Sequence, residues 1–116
     1  MLAEAETIPA LLFPPLVPSA LALPAELTLY FVDELMPKWL ALIDEPGLPP
    51  VVAFDASAVR EADAAGLQLL VSLGLALQRR DRMLRLEAPS VVLCDTCQRL
   101  GLTPWLAEVT AGGAGR

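Results

Sequence analysis

The central stretch of the chain carries three polar side chains whose types and spacing could do chemistry: Asp55, Ser57 and Asp63. Two carboxylates beside a hydroxyl suggest a hydrolytic site, one carboxylate moving protons while the hydroxyl attacks. That chemistry needs a base to activate Ser57, and the chain has no histidine and no other evident candidate. The simpler reading is a turn at Asp55 and Ser57, followed by a helix capped by Asp63. A second constellation is Cys94-Asp95-Thr96-Cys97. Cys-x-x-Cys at a helix can be a redox pair with a lowered thiol pKa, or half of a zinc site. A redox pair opens its helix directly after a strand, whereas this one follows Pro89 by more than a turn. Zinc wants four ligands, and the chain holds only these two cysteines. Only a symmetric dimer pairing two such helices would complete the set. Two small apolar thiols in a half-buried helix are therefore expected. With no Gly-x-x-x-x-Gly-Lys loop either, the residues specify no catalytic group, no metal and no cofactor.

The elements that position the three polar residues follow from the neighbouring sequence. Val51-Val52-Ala53-Phe54 is a short apolar run, the composition of a strand buried on both faces, and Asp55 ends it. Asp63 precedes small residues and an apolar helix from about Ala64 to Arg80. Its carboxylate suits both the free N–H groups and the positive end of the dipole at that helix start. The stretch thus reads strand, loop, capped helix. It delivers the two carboxylates and the hydroxyl to the sheet edge where open α/β folds place their function.

The rest of the chain supplies the scaffold. Residues 1–19 form a Pro-rich apolar leader, expected as an edge segment or arm; five prolines between Thr7 and Ala25 rule out a continuous membrane helix there. Glu4 and Glu6 stand where a secretory signal would carry basic residues, so the expected location is cytoplasmic. Ala20-Leu21-Ala22-Leu23 and Leu27-Thr28-Leu29, split by Pro24, predict two short strands or one bent strand. From Phe31 to Ile43, the apolar residues Phe31, Leu35, Trp39, Leu42 and Ile43 recur at helical spacing, with Pro37 expected to mark a kink or a helix start. Glu45 to Pro50 is a turn by composition. Met83–Glu87 predicts a strand, Ser90 to Leu100 a helix stopped by Gly101, and Pro104-Trp105-Leu106 a last turn or short helix. Residues 111–116 are a Gly-rich tail, expected to be flexible. The domain proper is residues 20–110, a single α/β unit with a small mixed β-sheet, helices packed on it, and the order β-β-α-β-α-β-α.

Bulk properties narrow the function. With 55% apolar but only 5% aromatic residues, the core must be built from Leu, Val and Ala, and Trp39, Trp105 and Phe54 are expected as its anchors. The net charge of −6 argues against nucleic acid as a partner. Arg79, Arg80, Arg82 and Arg85 form a local exception, read as a solvated helix end facing the negative pole of its dipole, or else as a dock for an acidic partner. The 64–80 helix is apolar on too many sides. Leu67, Leu70, Val71, Gly74 and Leu77 form a face for the sheet, while Leu69, Leu73 and Ala76 lean elsewhere. That second side needs a neighbouring helix, a protein partner or a second copy to cover it.

Asp55-x-Ser57-x-Val59, followed by Asp63-x-x-Gly66-Leu67 and a Leu-rich helix, resembles the STAS domain, the fold of bacterial anti-sigma-factor antagonists and of the cytoplasmic tails of anion transporters. The resemblance runs from about Ala20 to Leu106. It implies a non-enzymatic module that docks on partner proteins through the loop and helix start at Asp63, Ala64, Ala65, Gly66, Gln68 and Leu69, with Asp55 and Ser57 as motif residues. In the regulated antagonists a partner kinase phosphorylates the hydroxyl just after the Asp. Here that position is Ala64 and the next is Ala65, so no phosphorylation switch operates there. The form of the loop is similar to compact STAS proteins of bacterial chemotaxis systems, and to the STAS subunit of the ABC transporter that maintains lipid asymmetry. The implied partner is an anti-sigma or kinase-like factor, a chemotaxis component or an ABC ATPase. Nucleotide binding, reported for some resembling domains, is a further alternative, as is redox or metal chemistry at the cysteine pair.

Overall fold

A computed structural model describes residues 21–110. The expected N-terminal arm at 1–19 and the tail at 111–116 lie outside the described residues. The elements are β1 (Glu26–Leu27), α1 (Leu29–Ile43), β2 (Val51–Asp55), β3 (Glu61–Ala62), α2 (Ala64–Gln78), β4 (Met83–Glu87), α3 (Val91–Arg99) and α4 (Thr103–Thr110).

The apolar run at 51–55 and the alternating run at 83–87 pair in parallel, in register from Val51 opposite Met83 to Asp55 opposite Glu87. Val52, Phe54, Leu84 and Leu86 are buried, whereas Ala53 and Arg85 on the other face are half-buried. Burial on both faces, expected for β2, is therefore complete on one face only, because the second face carries a methyl group and an arginine. On its far side β2 meets the segment around Ala22: the Leu23 N–H donates to the Asp55 carbonyl at 2.9 Å, and the Asp55 N–H donates to the Leu21 carbonyl at 3.1 Å. β1 and β3 form a second parallel pair, Glu26 opposite Glu61 and Leu27 opposite Ala62. Among the described residues every strand pairing is parallel, so no antiparallel pair of the expected mixed sheet is seen there. The strand expected at 27–29 ends at Leu27, since Leu29 already belongs to α1. Pro37 lies inside α1 rather than at its start.

Helix ends follow local chemistry. The Ser90 hydroxyl accepts from the Leu93 N–H at 3.1 Å and caps α3. At the other end Gly101 takes φ +75°. The Leu102 N–H reaches back to the Cys97 carbonyl at 2.7 Å and the Gly101 N–H to the Gln98 carbonyl at 3.2 Å. This is the left-handed stop that glycine makes without a Cβ penalty. In α2, Leu67, Leu70 and Leu77 are fully buried, each contributing roughly 1.5–3 kcal/mol of transfer free energy. Leu73, on the helix's second side, is buried too, at the floor of a groove shared with Trp39 and Ile43 of α1. A neighbouring helix of the same chain therefore covers that side at Leu73. Trp39 also meets Phe54 edge-on, with ring centroids 6.1 Å apart, so α1 is pinned to the sheet by an aromatic contact. Trp105 of α4 is half-buried.

Candidate functional site at the paired helix starts

Because β1 and β3 are parallel and in register, the chain leaves both at the same sheet edge, and α1 and α2 start there side by side. Asp63 sits between the two starts and serves both. Its Oδ1 accepts from the Gly66 N–H at 2.9 Å, the N-cap bond of α2. Its Oδ2 accepts from the Leu29 N–H at 3.0 Å, at the first residue of α1. Thr28 occupies the cap position of α1 but makes no side-chain cap bond, and its buried hydroxyl has no partner among the described residues. The donated N–H groups of Leu29 first, then of Gly66 and Ala65, hold the Asp63 carboxyl below the usual carboxylate range, against a smaller opposing effect of burial. One ionised carboxylate thus fixes the relative position of two helices.

Gly66 completes the junction. A Cβ added at Gly66 would run into the backbone carbonyl of Leu27, so α2 can approach β1 this closely only with glycine there. Gly66 is itself buried, and its small size serves packing between α2 and β1 inside the molecule. Ala64 and Gln68 are exposed, while Asp63, Ala65 and Leu69 are half-buried. The six residues expected to meet a partner are therefore brought together at one helix start, with Gly66 beneath the others.

Asp55 and Ser57 form a separate turn at the end of β2. The Ser57 hydroxyl donates to Asp55 Oδ1 at 2.7 Å and the Ser57 N–H donates to the same oxygen at 2.9 Å. The hydroxyl, and after it the N–H, lowers the Asp55 pKa. Both groups are exposed, and the hydroxyl proton is committed to a weakly basic carboxylate rather than to a base that could activate it. The cysteines diverge: Cys94 is exposed and Cys97 buried. Burial, and after it the neighbouring Cys94, pushes the Cys97 thiol up to about 11, so it stays protonated and unreactive at neutral pH.

Sequence reasoning missed the second role of Asp63, as well as β3 and Thr28. Leu29 is 34 positions from Asp63, and no local signal joins them. Thr28 stood inside an expected strand, Leu27-Thr28-Leu29, and gave no sign of a helix start.

No helix among the described residues is long and apolar enough to cross a membrane. A family model described as Mlab, STAS domain matches residues 15–108. No curated protein and no solved structure gives a significant match. The family match spans most of the chain, from the segment before β1 to within α4. This chain belongs to the STAS domain family.

Proposed function

We propose that this protein is a non-catalytic docking module that binds another protein through the start of α2, in a bacterial signalling or regulatory system of the anti-sigma-antagonist or chemotaxis-associated kind. The observation that carries the reading is the construction at Asp63. Its carboxylate ties two helix starts together and leaves Ala64, Ala65 and Gln68 at the open edge beside it. A rigid, small-residue surface of this kind loses little entropy on binding and lets a partner backbone approach closely. Ala64 and Ala65 carry no hydroxyl, so docking there is constitutive rather than toggled by phosphate. The working location is the cytoplasm, where the partners of such modules reside.

A second reading is an accessory subunit of an ABC transporter for lipids. The same pair of alanines favours it, since a permanent subunit has no need of a phosphorylation switch at its interface.

The test is affinity capture from native lysate, wild type beside Ala65→Arg, with bound proteins identified by mass spectrometry. A protein captured by wild type and lost with a folded Ala65→Arg variant is the expected result, and its identity separates signalling factor from ABC ATPase. Identical captures would reject the α2 start as the binding surface.

A further inference from the structure

The face of α1 turned away from the core carries apolar side chains that the described residues leave exposed. Leu29 is 63% exposed, Met36 41% and Leu40 54%. At positions i, i+7 and i+11 they fall within about 40° of one line along the helix. Met36 and Leu40 on this line border the groove between α1 and α2, whose far wall is Leu69, Ser72, Ala76 and Arg79. The groove has a volume of about 320 Å³. On the α2 wall, Leu69 to Arg79 extends roughly 15 Å along the helix axis, nearly three helical turns. That length exceeds what a compact small molecule needs and matches an α-helix laid lengthwise, anchored by side chains at i, i+3/4 and i+7.

The ends of the groove differ in charge. Near the helix starts, α1 carries the exposed Asp33 and Glu34, and Glu26 stands opposite Glu61 across the β1–β3 pair. At the far end the exposed Arg79 lines the groove, while Arg80 beside it pairs with the exposed Asp44 at 3.0 Å. A helix seated there with its N-terminus toward Asp33 and its C-terminus toward Arg79 has its dipole matched at both ends.

We infer that the α1–α2 groove, lined by Met36, Leu40, Leu69, Ala76 and Arg79, takes an amphipathic helix of the partner protein, lying parallel to α1 and α2. The inference rests on the proposed docking role of the α2 start and extends that surface along Leu69 into the groove. The chain's own leader is a poorer occupant, because Pro9, Pro14, Pro15 and Pro18 interrupt any three-turn helix.

The test uses the full chain in its native host, with the photo-crosslinking residue p-benzoylphenylalanine in place of Leu40, or separately in place of Ala65. Adducts are mapped by peptide sequencing. The expected adduct at position 40 is a partner peptide with apolar residues at i, i+3/4 and i+7, and adding Asp33→Lys lowers its yield at least about threefold. Adducts at position 65 but none at position 40 would overturn the groove and leave the docking role standing. Adducts at neither position would overturn both. An adduct at position 40 to residues 1–20 of the same chain, to a second copy, or to a partner segment lacking helical apolar spacing would also overturn the inference.

Discussion

At the residue scale, Asp63 does more than an ordinary cap. Removing one N-cap costs about 1 kcal/mol, and here two helix starts lose an acceptor together, at Gly66 and at Leu29. Asp63→Ala should therefore destabilise by about 2 kcal/mol, read as a lower denaturant midpoint at unchanged slope. The lowered pKa fixes the sign of the pH dependence. The carboxyl is held below its ordinary value of 3.8 by the Leu29 and Gly66 N–H groups. Its contribution is therefore present above the unfolded value and fades as pH falls through the folded one. The gap in stability between wild type and Asp63→Ala should narrow below about pH 3.8, the ordinary value. A gap that is constant down to strong acid would show that the carboxylate charge is not what holds the junction. Asp55 also has a lowered pKa, but its side chain is exposed and its carboxylate accepts from Ser57 within the same turn.

At the element scale, what could be read from the sequence depended on how local the cause was. β4 runs over Met83–Glu87, as the alternation there implied. α2 opens at Ala64 because Asp63 caps it, and α3 opens after Ser90 for the same kind of reason. These are signals within four residues of the structure they specify. β3 was illegible because Glu61 and Ala62 have neither an apolar run nor β-branched side chains. They are a strand only because Glu26 and Leu27 lie alongside. Leu29 looked like strand because it follows Leu27 and Thr28, and the acceptor that draws it into α1 is far away in sequence. Gly66 was expected among the docking residues, and the space a side chain there would need is taken by the Leu27 carbonyl. Gly66→Ala should consequently cost about 3 kcal/mol or more, because the obstructing atoms are backbone and cannot rotate aside. By contrast, Gly74→Ala meets the flexible Leu84 side chain at 3.4 Å and should cost far less. Equal melting temperatures for the two variants would contradict the tight α2–β1 approach.

At the scale of the whole molecule, the buried core and the candidate surface meet at one place. The fold brings one parallel strand pair, β1 and β3, and two helix starts to a single edge, and one carboxylate ties the two starts there. A surface built this way cannot move without breaking both caps, which suits recognition of a partner by fixed shape. The Leu-rich composition of α2 follows from the same architecture, since the helix packs against the sheet on one side and α1 on the other. The sequence left that second side open between a neighbouring helix and a partner. α1 covers it at Leu73, while the outer wall of the groove keeps Met36 and Leu40 in solvent. The most direct measurement is amide hydrogen exchange on the full chain, free and in complex with the protein recovered by affinity capture. Docking through the α2 start predicts slower exchange on binding at Ala64 to Leu69, with α3 unchanged. Protection confined to α3 and α4, with Ala64 to Leu69 exchanging as in the free protein, would contradict it.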